Sequence, residues 1–139
     1  APGVLFDLSS LTQPLGAGLA ALYLVSRNRL DLGASLPQTV AGLRTDTLSG
    51  VNVGMLLDHS AGFPAAHPFW EDLQKRDAQA PPGEHLLGTP EAAALVQQRL
   101  AELPLAYAPG TQCLYSDISF MVLGWVIEHV TGKPLDDFL

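Results

Sequence analysis

Apolar residues recur at helical spacing in several stretches of the chain, and these stretches predict its main helices. The first stretch carries large apolar residues three or four positions apart: Leu11, Leu15, Leu19, Leu22 and Val25. Glycine and alanine fill most of the remaining positions, which favours close packing of neighbouring elements. We therefore predict a helix that is capped by Ser9 or Ser10, runs to about Asn28 and is buried on every side.

Capping and stop residues mark three further helices. Asn52 begins a short helix, and Gly62 is the residue expected to take the left-handed conformation where that helix stops. Thr89-Pro90-Glu91 begins the next helix, which carries an apolar stripe and stops at Pro104,. Another apolar helix follows Tyr115-Ser116-Asp117 and is closed by Gly132.

Two stretches have no long periodic pattern. Polar residues, glycine and proline predict an extended loop from Leu30 to Ser49. The stretch from Pro64 to Thr89 is rich in proline and aromatic residues, with one short helix predicted around Trp70 to Arg76. It either walls a ligand cleft or is a long surface segment that Phe69 and Trp70 anchor on the core.

Composition favours a folded domain and disfavours several kinds of partner. The 139 residues are 47% hydrophobic and 15% charged, which predicts a single helical domain over residues 1–139 with its own core. The net charge is -7 with seven Lys and Arg, so we expect no nucleic acid partner. The apolar run from Leu15 to Val25 is too short to span a bilayer.

Cysteine usage and the beginning of the chain leave the cellular location open. The single cysteine, Cys113, excludes an intramolecular disulfide, and no metal-type cysteine spacing is present,. We expect neither a metal nor a cofactor. No basic segment with a cleavage site begins the sequence, which fits a processed periplasmic or secreted chain as well as a cytoplasmic one.

Two short motifs lie where loops lead into apolar helices: Ser10-Leu11-Thr12-Gln13 and Tyr115-Ser116-Asp117. A serine followed three residues later by lysine places an amine on the same helix face as the hydroxyl, where it can take the proton. Gln13 stands where that lysine would be. Judged from its residues alone, the first motif is explained equally well by a capped core helix that has no catalytic role.

Longer segments around these motifs resemble, in order and spacing, the class C-like branch of the serine β-lactamase and penicillin-binding protein family, which includes esterases. The segments that carry the resemblance are Phe6 to Pro14, Val51 to Pro64, Tyr107 to Thr111, Tyr115 to Asp117, Leu123 to Glu128 and Thr131 to Leu135. They cover most of the chain.

The resemblance implies a mainly α chain, the helical part of the β-lactamase/transpeptidase-like fold. The complete family fold is α+β, and its flanking strands and third motif, Lys-Thr-Gly or His-x-Gly, are expected to be absent from this chain. Thr131-Gly132-Lys133 has the reverse order, so we do not take it for that motif.

The resemblance also implies acyl transfer on a β-lactam, ester or peptide. Ser10 corresponds to the nucleophile and Tyr115 to the tyrosine that carries its proton, while Asp117 occupies a position usually held by asparagine or aspartate. Gln13 occupies the lysine position, and an amide cannot take the serine proton at neutral pH. Loss of general base assistance costs about 10²- to 10⁴-fold, so we expect an impaired or inactive site. The resemblance makes His59 a structural residue.

Two other classes of function stay open. The first is a binding module that keeps the cleft near Ser10 and Tyr115 without catalysis. The second is a helical interaction protein, since loss of a strand half would leave apolar surface to be covered, most simply in a homo-oligomer. The substrate cannot be read from these residues.

Overall fold

Helices make up nearly all regular structure of the chain, as the sequence predicts. The computed structural model describes residues 3–81 and 84–139; Pro82 and Gly83 of the predicted proline-rich loop lie outside the described residues. The α-helices of the described residues are α1 (Leu19–Ser26), α2 (Leu36–Thr39), α3 (Val53–Leu57), α4 (Phe69–Asp77), α5 (Pro90–Glu102), α6 (Asp117–Thr131) and α7 (Leu135–Phe138). In the same residues, the β pairing is an isolated antiparallel bridge between Ser35 and Asn52.

Helix α6 is the centre of the core. It packs against α1, α2, α3 and α7, and most of its apolar side chains are fully buried. Ser116 caps it, accepting the Ser119 N–H at 3.3 Å, and Gly132 ends it with a φ of 70°. The predicted start and stop of this helix are confirmed.

The beginning of the first helical stretch differs from the prediction. A 3-10 turn spans Ser9–Leu11 and a π-helical turn spans Gln13–Gly18 before α1 begins. Neither Ser9 nor Ser10 caps this stretch: Leu8 precedes the first turn, and no side chain caps it. The Asp7 carboxylate accepts the Ser9 N–H at 2.8 Å instead, so the aspartate satisfies a free N–H of the first turn.

The predicted burial of this stretch on every side is wrong. Its small residues and Leu24 face the core, and four of its other large apolar side chains face outward, 53–55% exposed: Leu11, Leu15, Leu19 and Leu22. A Cβ on Gly18 would lie 4.0 Å from the Phe120 ring, so the stretch and α6 are in ordinary van der Waals contact here. We call these four exposed leucines the leucine face.

Helix α3 stops at a different residue from the predicted one. Its predicted cap is confirmed, because the Asn52 side chain accepts the Met55 N–H at 3.0 Å. His59, with a φ of 59°, is the left-handed residue that follows the helix, and the Ser60 N–H then returns to the Met55 carbonyl at 3.0 Å,. Gly62 serves another purpose, since a Cβ there would collide with the Tyr107 carbonyl oxygen.

The segment from Leu30 to Ser49 is not the extended loop that its composition predicts. It forms α2 and two 3-10 turns, Ala41–Leu43 and Asp46–Leu48. One leucine anchors each of these three elements on the core: Leu36, Leu43 and Leu48 are fully buried. The leucines are too far apart to give a periodic signal.

Helices α4 and α5 confirm the predictions made for them. The Thr89 hydroxyl caps α5, accepting the Ala92 N–H at 3.2 Å, and α5 ends before Pro104. Phe69 at the start of α4 is buried, whereas Trp70 is 58% exposed. Phe69 alone of this pair anchors the segment on the core.

Candidate active site

The two short motifs meet where two helical stretches begin. The Gln13 side-chain nitrogen Nε2 donates a hydrogen bond to Asp117 Oδ1 at 2.8 Å, although the two residues are 104 positions apart. Gln13 begins the π-helical turn and Asp117 begins α6, and the turn packs along α6. Tertiary packing therefore brings the serine motif to the tyrosine motif.

We call the place where Gln13 meets Asp117 the junction. It contains the Asp117 carboxylate, which has no ion-pair partner among the described residues. Gln13 Oε1 is buried and has no hydrogen-bond partner in the described part of the chain, so the amide uses its donor and leaves its acceptor unused. Neither ion pair found in residues 3–81 and 84–139 involves Asp117. A lysine at position 13 would place an ammonium donor beside this carboxylate.

Ser10 lies on the exposed side of this junction, one turn before Gln13. It is in the 3-10 turn Ser9–Leu11 and is exposed. Ser9 before it has a φ of 46°, a conformation that non-glycine residues seldom adopt and that recurs at functional sites. Among the described residues, no hydrogen bond joins the Ser10 hydroxyl to Gln13 or Tyr115.

Tyr115 is held by a ring contact and is open to solvent on the other side. The residue is 49% exposed, and its ring lies 4.8 Å from the His59 ring, centroid to centroid, at an interplanar angle of 41°. His59 also packs on Phe120 of α6 at 5.2 Å. The tyrosine thus projects from the core side toward solvent.

Ser116, the middle residue of the second motif, fixes its backbone. Ser116 is 1% exposed, and its hydroxyl donates to the Pro64 carbonyl at 2.7 Å while accepting the Ser119 N–H. The Asp117 N–H donates to the Ala65 carbonyl at 2.9 Å. These bonds tie the start of α6 to the turn after α3 and leave Tyr115 and Asp117 exposed beside Ser116.

Sequence reasoning missed the polar contacts that brace this turn. The Tyr107 hydroxyl donates to the His59 carbonyl at 2.7 Å and accepts the Leu114 N–H at 3.2 Å. The Cys113 thiol donates to the Asp58 carbonyl at 3.1 Å. Because Tyr107 and Cys113 lie 48 and 55 positions from the residues whose carbonyls they bind, no local pattern reveals these two contacts.

Residue types that bind metals do not gather at the junction. In the part of the chain that the structure describes, no group of three or more His, Cys, Asp and Glu side chains is placed to hold a metal ion. The same residues contain no helix long and apolar enough to cross a membrane. The chemistry of the junction rests on hydroxyl, phenol, amide and carboxylate groups.

Comparison with known proteins identifies the family. The beta-lactamase family model matches residues 1–139, the whole chain. The chain belongs to the beta-lactamase family. A predicted D-alanyl-D-alanine carboxypeptidase of Escherichia coli O157:H7 is 34% identical over 150 residues, covering 99% of this chain and 31% of that protein. The chain thus spans about a third of the length of this relative.

Solved structures of the beta-lactamase family share the fold. The β-lactamase/D-alanine carboxypeptidase from Pseudomonas syringae superposes with a TM-score of 0.69 at 22% identity, over 95% of this chain and 32% of that chain. The octameric penicillin-binding protein homologue from Pyrococcus abyssi gives 0.65 at 26% identity, over 93% and 28%. The part of the fold that this chain covers is its helical region.

Proposed function

We propose that this chain carries the nucleophile side of an acyl-serine hydrolase site. The observation that supports the proposal is the Gln13–Asp117 hydrogen bond, which joins the Ser10 motif to the Tyr115 motif at neighbouring helix starts. In this assignment Ser10 is the nucleophile and Tyr115 takes and returns its proton. Asp117 and Gln13 orient the two motifs relative to each other.

The proposed reaction has two steps. Ser10 Oγ attacks a carbonyl carbon and its proton passes to Tyr115, which must be a phenolate to accept it; the C–N or C–O bond breaks, and the leaving group takes that proton from the phenol and restores the phenolate. Water then attacks the acyl-serine, which releases the acid and restores the hydroxyl. Negative charge that develops near Ser10 lies at the start of a helical stretch, where it is favoured.

The substrate class that we propose is a β-lactam, an ester or a D-amino-acid peptide. Each contains the carbonyl carbon and leaving group that the two steps require. The names of the E. coli and P. syringae relatives, a carboxypeptidase for D-alanyl-D-alanine and a β-lactamase, support this class. A small substrate also fits a net charge of -7 better than a nucleic acid does,.

In our proposal, Gln13 lowers the rate at which Ser10 is acylated. An amide takes no proton from Ser10 at neutral pH, and it supplies no positive charge that would stabilise a phenolate on Tyr115. General base assistance is worth about 10²- to 10⁴-fold. We therefore expect acylation to be slower by that factor than in a variant with lysine at this position.

Intact-protein mass spectrometry tests the proposal directly. The chain is incubated with a fluorophosphonate and, separately, with a reporter penicillin, and the fraction of adduct is followed over time. We expect Gln13→Lys to acylate about 10²- to 10⁴-fold faster than the parent chain, and Ser10→Ala to form no adduct. Gln98→Lys, which adds the same charge on the exposed side of α5, is the matched control and should behave as the parent does.

Two results would count against the proposal. If Gln13→Lys forms no adduct with either reagent while its helical circular dichroism matches the parent, Ser10 is not an activatable nucleophile. If the adduct persists in Ser10→Ala, another residue is the one modified.

A binding module without catalysis is the alternative for the same site. The neutral Gln13 amide favours it, because the hydrogen bond to Asp117 preserves the junction while the base is absent. Saturable binding of a penicillin in calorimetry that survives Ser10→Ala, with no adduct in any variant, would favour this alternative.

The leucine face favours a second candidate role, association with another copy of the chain. The described fold exposes 8395 Å² of surface, whereas a folded monomer of this size exposes roughly 6900 Å². One neighbour in fold, the penicillin-binding protein homologue from P. abyssi, is octameric. Sedimentation velocity over a range of concentrations tests this role, and a monomer at every concentration would refute it.

A further inference from the structure

His59 contacts the start of α6 and takes no part in the mechanism above. Its ring nitrogen Nδ1 accepts the Ser116 N–H at 3.1 Å. The same ring packs on Tyr115 at 4.8 Å and on Phe120 at 5.2 Å. His59 therefore touches the second motif through both a polar and an apolar contact.

The polar contact exists in one protonation state of the ring. An imidazole nitrogen accepts an N–H only when it carries no proton, so Nδ1 must be bare and the ring proton must sit on Nε2. When the ring is protonated, both nitrogens are donors, and two N–H groups would face each other across 3.1 Å. The bond to Ser116 is then lost and the charged ring repels that amide.

The residues on each side of Ser116 are the two exposed members of the motif, Tyr115 and Asp117. The Ser116 hydroxyl and the Asp117 N–H remain bound to Pro64 and Ala65, so loss of the His59 contact does not detach α6. The Tyr115 ring, by contrast, packs directly on the His59 ring. A change at His59 therefore directly alters a contact of Tyr115 as well as one of Ser116.

We propose that His59 is a pH-sensitive positioning residue, which holds Tyr115 and the Ser116 amide when neutral and releases them when protonated. The effect on Ser10 acylation rests on the function proposed above. The effect on the Ser116 amide does not.

The other titratable groups around His59 are tied elsewhere. The Asp58 carboxylate accepts the Ser60 N–H at 2.9 Å and the Ser60 hydroxyl at 2.6 Å. The Tyr107 hydroxyl binds the His59 carbonyl, and the Cys113 thiol binds the Asp58 carbonyl.

On α6, Asp117 binds Gln13, and the remaining neighbour is the Tyr115 phenol. Of these residue types, histidine is the one that ordinarily changes charge between about pH 5 and 8. A step in that range in the Ser116 environment would therefore report on His59.

Nuclear magnetic resonance on the 139-residue chain tests the positioning role without any activity. With ¹⁵N and ¹³C labelling, the Ser116 amide, the Tyr115 ring and the His59 ring are followed from about pH 8 to 5. We expect the Ser116 amide and Tyr115 ring signals to move with the same midpoint as the His59 ring. Ser116 signals that stay constant while His59 titrates would overturn the proposal.

Two histidine variants separate the role of the ring from general acid effects. In His59→Asn, asparagine tolerates the positive φ and places a carbonyl oxygen near the position of Nδ1, so it accepts the N–H at every pH. We expect this variant to lose the Ser116 pH step. His67→Asn is the matched control, because His67 lies in the same segment with its ring on Phe69 at 4.5 Å, and it should keep the step.

Acylation rates of the same variants provide the functional readout, in the Gln13→Lys background if the parent is too slow. We expect the rate to fall more steeply in acid in the parent and in His67→Asn than in His59→Asn, because only His59→Asn keeps the contact with the Ser116 amide at low pH. An unchanged acid fall in His59→Asn would refute the positioning role. If no variant acylates at any pH, the proposed function fails, and the Ser116 signals still decide whether His59 positions this motif.

Discussion

Helix α6 and the helical stretch from Ser9 to Ser26 are both strongly apolar but have different surroundings. Each is apolar around most of its circumference. In α6, Leu123, Val126 and Ile127 are fully buried. In the earlier stretch the small residues are buried and the leucine face is more than half exposed.

The difference lies in the number of neighbouring elements. Helix α6 has α1, α2, α3 and α7 around it, whereas the stretch from Ser9 to Ser26 packs on α6 and, through Tyr23, near Phe138 of α7. An apolar helix sequence predicts that other protein surface buries the helix. It does not indicate whether that surface belongs to the same chain. The leucine face is thus an apolar surface that the described fold leaves uncovered.

Truncating one leucine in each region measures this contrast and has the largest expected effect. Leu123→Ala empties a fully buried site and should lower the free energy of unfolding by about 2 to 5 kcal/mol. Leu19→Ala removes a side chain that is 55% exposed and should cost at most about 0.5 kcal/mol. Urea unfolding followed by circular dichroism gives both values. Equal losses would mean that the leucine face is covered in solution.

The two helix starts provide the next comparison. Ser116→Ala removes the cap of α6 and the hydrogen bond to Pro64, and should cost about 1 to 2 kcal/mol. Ser10→Ala removes an exposed hydroxyl from an uncapped start, and should leave stability within about 0.5 kcal/mol. A large loss of stability in Ser10→Ala would contradict its assignment as a free hydroxyl available for chemistry.

The helix ends give the smallest expected effects. Gly132, which ends α6, and Asn28, which follows α1, adopt positive φ values of 70° and 53°. Gly132→Ala should cost about 1 kcal/mol, because alanine is strained there. Asn28→Gly should change stability by a few tenths of a kcal/mol at most, since asparagine tolerates this conformation almost as well. Thermal unfolding of the two variants in parallel checks the order.

The sequence predicts the parts of the fold that depend on neighbouring residues. Asn52, Thr89 and Ser116 cap helices because each side chain reaches an N–H two or three positions ahead. The first helical stretch departs from this reasoning, since neither serine side chain caps it and Asp7 accepts the Ser9 N–H.

The candidate site was predictable in its residue types and not in its contacts. Ser10, Gln13, Tyr115 and Asp117 stand out by motif, and their catalytic roles remain a proposal. The role of His59 was not visible, because its ring nitrogen meets an amide 57 positions away. The sequence showed a helix ending near it and gave no indication of which residue its ring would contact.

By itself the sequence determined a mainly helical chain of the beta-lactamase family, the caps and ends of most helices, and the glutamine in the lysine position. Only the tertiary structure decided that Gln13 bonds to Asp117, that His59 accepts the Ser116 amide and that the leucine face points outward. Caps and turns depend on atoms a few residues apart, which a local pattern encodes. Side-chain partners and burial depend on which distant surfaces pack together, and a local pattern does not record that.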